Sequence, residues 1–293
     1  MGEREPVTAE ALNLGGAVHK TLENYYNQVK DGKEWTVAEA CEEMDKNIED
    51  YKVPWLSKDN KDKAEKQHTD LMSGLANKNN ELAKFMEDKQ VVACEKDFIW
   101  KFPMVMGILY NGKRYNEVYI IGSIDLIVKD KNGGLIAIDY KSGKKLFDNK
   151  KLKTNLQLPI YSLVIRNIYG RLPVQTRYYF TRLDKFQDVD PLVYNDSDCK
   201  VVRFKSGKRK GQIKYKQRTV PDIFDVLIDI FTKQYREGCY KANPTPLCSW
   251  CALGKYEKDN CKYAMEYIRK DIDLPAQKVV NRLGGRRYKK SND

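Results

Sequence analysis

The sequence predicts an α/β protein: a mixed central sheet flanked by helices, with an N-terminal helical layer beside it. Three observations carry that reading. Apolar residues recur near helical period from about Thr8 to Asp88. From Gln90 the pattern changes to apolar, β-branched runs punctuated by Asn-Gly turns. A helical stretch from about Asn149 to Tyr169 then separates two strand-like runs, as an α/β arrangement requires.

Taken in order, Leu12, Leu14, Val18, Leu22 and Tyr25–Tyr26 form the stripe of a first helix, from about Thr8 to Val29. Gly15-Gly16-Ala17 lies on it just before His19, and three small residues would let another backbone or a nucleic acid come close. Thr36-Val37-Ala38-Glu39 is a capping box opening a second helix that runs to about Tyr51. A third helical stretch, Lys58 to Asp88, has Leu71, Met72, Leu75, Leu82 and Phe85 as its apolar positions. His68, among Lys66, Gln67, Thr69 and Asp70, reads as part of a solvated face.

The strands follow. Val91–Glu95 and Phe98–Phe102 make one, Met104–Tyr110 the next, and Asn111-Gly112 turns the chain into Tyr115–Val128. Glu95 is an acid in an apolar strand, read equally as a further metal or water ligand and as an edge-strand charge. Asn132-Gly133-Gly134 marks a second hairpin between Ile120–Val128 and Leu135–Ile138. Asp125 interrupts the first of these runs, and Asp139-Tyr140-Lys141 ends the second. Residues two apart on a strand share a face, so Asp139 and Lys141 point together and Asp125 can meet them. Buried charges need partners, and two carboxylates with a backbone carbonyl make a hard-oxygen site suited to Mg²⁺ or Mn²⁺. A lysine there can orient water or stabilise charge on a phosphate. Asp59-Asn60-Lys61 and Asp148-Asn149-Lys150 have the same spacing, but neither ends an apolar strand beside a second acidic one.

On the helix from Asn149 to Tyr169, Gln157 and Tyr161 share a face. Val174–Leu183 is the next strand. Arg203 to Arg218 holds no acidic residue, two glycines and interleaved aromatics, the pattern either of a hairpin tracking phosphates or of a solvated loop. Val220–Gly238 is amphipathic. Cys248-x₂-Cys251, with Cys261 beyond and Cys239 before, is a soft-ligand pattern for zinc or an iron–sulfur cluster. Cys41 and Cys94 are remote alternatives for the fourth ligand. The last residues, rich in Lys and Arg, read as a mobile basic tail.

The 293 residues carry a net charge of +12, which points to an anionic partner such as nucleic acid. No run of about 18 apolar residues occurs, so no membrane span is expected. The start carries no signal-peptide pattern, and the seven cysteines read as thiols or metal ligands of a reducing compartment. No Gly-x₄-Gly-Lys-Ser/Thr is present, so ATP-driven unwinding would need a partner.

Four motifs in order, Gly15-x₃-His19, Gly122-x₂-Asp125, Asp139-Tyr140-Lys141 and Gln157-x₃-Tyr161, followed by Cys-x₂-Cys, resemble the PD-(D/E)XK nuclease superfamily and its RecB-like, AddB-like exonuclease branch. The resemblance spans Gly15 to Cys261. It implies a restriction-endonuclease-like core and a metal-dependent deoxyribonuclease, an exonuclease of recombination, repair or replication, in the cytoplasm of a bacterium or a phage-infected host. By the same resemblance His19, Asp125 and Asp139, with the Tyr140 carbonyl, look like ligands of Mg²⁺ or Mn²⁺. Lys141 looks like the residue that positions water, and Gln157 and Tyr161 like contacts to the DNA strand. A helicase or recombination protein would be the partner. The family's cluster-bearing members usually place one cysteine upstream of the histidine, and here none precedes His19. A 4Fe-4S cluster, zinc and an unmetallated relic are therefore the three readings of Cys239, Cys248, Cys251 and Cys261. The expected organisation is a helical part at 1–89, the nuclease core at 90–238, a Cys-containing element at 239–271 and a basic tail at 272–293. A catalytically silent nucleic-acid-binding module on the same fold is the alternative.

Overall fold

The computed structural model describes residues 10–55, 57–110 and 113–235. Cys239, Cys248, Cys251 and Cys261, the basic tail and the Asn111-Gly112 turn lie outside the described residues. Glu10–Gly238 forms one compact unit.

Four helices come first: α1 (Glu10–Lys30), α2 (Val37–Asp50), α3 (Lys58–Ala76) and α4 (Glu81–Met86). The capping box at α2 is formed in both directions, Glu39 N donating to Thr36 Oγ1 at 3.2 Å and Thr36 N to Glu39 Oε2 at 2.8 Å. The single helix expected over Lys58–Asp88 is instead two. Lys78 takes a left-handed φ of 57°, and Asn80 caps α4 by accepting from Ala83 N at 2.7 Å.

Strands β1 (Gln90–Tyr110), β2 (Lys113–Lys129) and β3 (Leu135–Lys141) follow. The two strands expected before Tyr110 are one long strand that runs through two register shifts, between Val91 and Ala93 and between Pro103 and Ile108, with Gly107 at a left-handed φ of 66° inside the second. Asp130 closes the β2–β3 loop, its Oδ1 accepting from Asn132 N at 2.9 Å and Gly134 N at 2.7 Å, while Gly133 supplies the left-handed φ of 83°. Next come α5 (Asn149–Thr154), α6 (Gln157–Tyr169), β4 (Gln175–Phe180) and β5 (Lys185–Val189). The helix expected over Asn149–Tyr169 is thus also divided, with Asn155 in extended conformation at the break. A hairpin of β6 (Val201–Arg203) and β7 (Ile213–Lys216) precedes α7 (Val220–Tyr235).

The main sheet has the order β1-β2-β3-β4-β5, with the β3–β4 pair parallel and the others antiparallel. A parallel pair needs a crossover, and α5–α6 supply it. One face of the sheet packs Leu126, Val128, Ile136, Ile138 and Tyr140 against α1–α4. The other packs Ile127, Leu135, Ala137 and Tyr178 against α6 and α7. Three layers result, and β3 at the centre is buried along almost its whole length.

His68 corrects its sequence reading. It is 2% exposed, on the inner stripe of α3 with Ala64, Leu71, Met72 and Leu75. Neither ring nitrogen has a hydrogen-bond partner. Burial, helped by the charge of Arg182, lowers its pKa to about 4, so the ring is neutral.

Candidate active site

Backbone pairing between β2 and β3 runs from Lys129–Leu135 to Leu126–Ile138 and stops there. One residue further the strands part, and the side chain of Asp125 takes over as acceptor: Tyr140 N donates to Asp125 Oδ2 at 2.7 Å. That bond holds the carboxylate in the splayed end of the hairpin. Asp139 is fully buried there, and its oxygens have no hydrogen-bond donor in good geometry. Lys141 Nζ stands 2.5 Å from Asp139 Oδ2 as an ion pair.

Strand alternation sends Asp139 and Lys141 toward α6 and Tyr140 toward the helical layer. Lys141 Nζ donates to Gln157 Oε1 at 2.8 Å, and Gln157 Nε2 donates to the Tyr161 hydroxyl at 3.1 Å. The break before α6 serves this contact, since Gln157 N donates to Asn155 Oδ1 at 2.8 Å at the start of the helix. The Tyr178 ring lies 5.5 Å from Lys141 Nζ. Burial raises the Tyr161 phenol above its usual range, so it stays protonated.

From the other side α1 delivers His19. Its Nδ1 lies 3.1 Å from Glu95 Oε1 and 3.5 Å from Asp125 Oδ2. A carboxylate only accepts, so the proton of the neutral ring belongs on Nδ1. Among the described residues, His19, Glu95 and Asp125 are the one group of three whose ligand atoms all lie within 4.8 Å of one another. The imidazole edge also meets the Tyr140 ring, 5.6 Å between centroids. Glu95 is the residue that sequence reasoning left undecided. Its neighbours Cys94 and Lys96 pair with Leu126 and Ile124, which sets Glu95 across from Asp125. Its φ of 39° is left-handed, a strained state for a glutamate, and such strain persists only where surrounding contacts enforce it.

The glycines of the motifs prove to be packing positions. A Cβ on Gly16 would meet the Tyr51 ring at 2.4 Å, and one on Gly122 the Phe98 ring at 2.9 Å. A Cβ on Gly15 would lie 3.3 Å from Ser142 Oγ, so α1 approaches the end of β3 closely there. His19, Glu95, Tyr140 and Lys141 line a cleft of about 600 Å³ between these elements. Gly15 and Gly16 also line the cleft beside His19.

The electrostatics are those of a site with too much negative charge. Burial and the neighbouring Asp139 charge push Asp125 up to about 7, against the pull of His19. Burial likewise raises Asp139, against the opposing charge of Lys141. Burial disfavours the His19 imidazolium, but the hydrogen bond to Glu95 and the charges of Asp125 and Glu95 outweigh it and raise its pKa. A hard divalent cation fits this donor set: the carboxylates of Glu95 and Asp125, one imidazole, and the buried Asp139 carboxylate beside them. Cys41 and Cys94 are free thiols, and burial pushes Cys94 up to about 12.

A mixed sheet whose adjacent central strands carry Asp125 and Asp139-x-Lys141 where their pairing stops, flanked by helices on both faces, defines a nuclease-like α/β core. A family model for the PD-(D/E)XK nuclease superfamily matches residues 2–256, and the chain belongs to that superfamily, whose members are generally nucleases. No curated protein matches the chain.

Proposed function

We propose that this protein is a Mg²⁺- or Mn²⁺-dependent deoxyribonuclease of the RecB-like, AddB-like exonuclease branch, trimming DNA in recombination, repair or replication. The observation that carries the reading is the chain of contacts linking four separated sequence motifs: His19 to Asp125, Asp125 to the amide of Tyr140, Lys141 to Asp139 and Gln157, and Gln157 to Tyr161. His19, Asp125, Asp139 and the Tyr140 carbonyl are the proposed metal ligands, and Glu95 joins them from β1. A divalent cation bound there supplies Lewis acidity toward the phosphate and lowers the pKa of a bound water.

The chain's own residues do the rest. Lys141 is a positioned cation beside the carboxylates, placed to orient the attacking water and offset charge developing on the phosphate. Asp139 and Gln157 fix its ammonium, so no reorganisation is needed at the moment of reaction. Tyr161, protonated and bonded to Gln157, holds that amide and offers its hydroxyl to the DNA strand. His19 spans Glu95 and Asp125 and lessens the repulsion between them. Cys239, Cys248, Cys251 and Cys261 are assigned to a structural 4Fe-4S or zinc element with no part in bond cleavage. Action in the cytoplasm of a bacterium or a phage-infected host, beside a helicase or recombination protein, completes the proposal. Among the described residues no helix is long and apolar enough to cross a membrane.

The test is metal-dependent degradation of end-labelled single-stranded, duplex and circular DNA, with Lys141→Ala beside the wild type. Cleavage of linear DNA by the wild type, lost in Lys141→Ala, supports the reading, and the label released gives the polarity. Binding of DNA by both proteins with no cleavage by either would favour the silent binding module.

A further inference from the structure

Outside the cleft, the β6–β7 hairpin gathers several unneutralised positive charges. It folds as a true hairpin: Val201 pairs with Lys216 and Val202 with Tyr215, and Gly211 N donates to the Phe204 carbonyl at 3.0 Å beyond the strands. Gly207 and Gly211, with φ of 77° and 83°, turn the tip, and a Cβ at either would meet only open space. Lys205, Lys208, Lys210 and Lys214 are exposed, and none of them makes an ion pair with a described residue. Arg209 is laid over the Phe204 ring at 4.2 Å, which holds a guanidinium outward at little entropic cost.

The base of the hairpin is built differently. Lys216 is paired with Asp196 at 2.8 Å, and Arg218 Nη1 donates to the Asn155 carbonyl at 3.0 Å. Asn155 is the residue whose side chain holds Gln157 N, and Gln157 holds Lys141. The hairpin is therefore anchored to the frame of the candidate active site. Beside the anchor is a second cleft of about 390 Å³, walled by Lys153 of α5 on one side and Lys214 and Arg218 on the other. Its two acids are already occupied: Asp188 by Arg177 at 2.7 Å and Asp190 by Lys200 at 3.8 Å. What faces solvent is a lane of free ammonium groups with an aromatic–guanidinium face at its end.

Like charges so crowded repel each other in the free protein, and nothing in the hairpin's own packing needs them. They match a polyanion with regularly spaced charges, and the anchoring to Asn155 places that polyanion in continuity with the cleft. We infer that the β6–β7 hairpin and the cleft at its base grip the phosphate backbone of the DNA substrate away from the scissile bond, setting affinity and length of engagement and leaving the bond-breaking step alone. This rests on the deoxyribonuclease reading above.

The experiment uses the full-length chain and fluorescent single-stranded and duplex DNA, with binding measured in EDTA over a salt series. The Lys205→Gln/Lys208→Gln/Lys210→Gln/Lys214→Gln variant is compared with the wild type and with the same four positions changed to Arg. The expected result for the Gln variant is at least about tenfold weaker binding and a log Kd against log salt slope shallower by about 3, four contacts at roughly 0.7–0.9 each. The Arg variant keeps the wild-type values, which separates charge from folding. With Mg²⁺ the Gln variant has a raised KM and an unchanged rate at saturating DNA. An unchanged Kd and slope overturns the inference, as does a lower saturating rate with intact binding. Because binding is read without metal, a wild type that binds DNA and fails to cut it contradicts the nuclease reading while leaving the hairpin's role measurable.

Discussion

Where β2 and β3 part, every charge is buried or half-buried and engaged: Asp125 by a backbone amide, Asp139 by Lys141, Lys141 by Gln157, and His19 by two carboxylates. On the β6–β7 hairpin the lysines of the tip are exposed and make no ion pair with a described residue. The first arrangement fixes the position and protonation of each group, which is what bond-making chemistry requires. The second fixes only the density of charge, which is what loose, salt-dependent attraction requires. Replacing one charge by another of the same sign should thus be ruinous in the first region and harmless in the second.

The largest effect is expected at Asp139. Asp139→Asn should lower the saturating cleavage rate by about 10³-fold, since it removes a ligand charge and the partner of Lys141 at once. A loss under tenfold would place the chemistry elsewhere.

His68 offers a contrast of another kind, a buried titratable group without partners. Its folded pKa of about 4 lies below the ordinary 6.5, so the unfolded chain binds the proton more tightly. The stability this neutral ring contributes is present above pH 6.5 and is lost as pH falls toward 4, to the extent of about 3 kcal/mol. Denaturant titrations across that window should show the wild type losing stability relative to His68→Met as pH falls. Parallel curves would mean that His68 titrates normally and is not sealed in.

Like-for-like substitution tests the comparison itself. Lys141→Arg should cost about 10²-fold in rate, because a planar guanidinium cannot occupy the position that Asp139 and Gln157 define for an ammonium. Lys214→Arg should leave rate and KM within twofold, or about that, of the wild type. Equal effects at the two positions would erase the distinction between the regions.

Glu95→Gln should raise the Mg²⁺ concentration for half-maximal activity by about tenfold while keeping the metal-saturated rate, as expected of an added ligand or ligand partner. An unchanged metal requirement would return Glu95 to the status of an edge-strand charge. The smallest effect is structural. Gly122→Ala must displace the Phe98 ring, which packs edge-on to Tyr161 at 6.4 Å, and should cost about 1–2 kcal/mol of stability in thermal melts.

Much of the site could be read from the sequence because it obeys periodicities. Asp139 and Lys141 are two apart on a strand, and Gln157 and Tyr161 four apart on a helix, so each pair had to share a face. The assembly of α1 with β3 came through resemblance, since no local pattern announces which helix delivers a histidine to a given sheet. Glu95 stayed between two readings for a definite reason: it takes a left-handed φ inside a β-rich run, and a glutamate there gives no signal of it. His68 was readable and misread. Its neighbours in sequence are polar, but Ala64, Leu71, Met72 and Leu75 lie at helical spacing from it and mark the buried stripe. The divisions of the long helices were also marked, at Asn77–Asn80 and at Asn155, by residues that favour turns and caps.

The central claim is that the carboxylates where β2 and β3 part form a divalent-cation site. Its most direct test is a Mn²⁺ titration of the full-length protein followed by electron paramagnetic resonance, for wild type, Asp125→Asn and Asp139→Asn. Saturable binding by the wild type, weakened by about tenfold or more in both variants, is the predicted result. Binding of equal strength in all three proteins, or none in the wild type, would contradict the account.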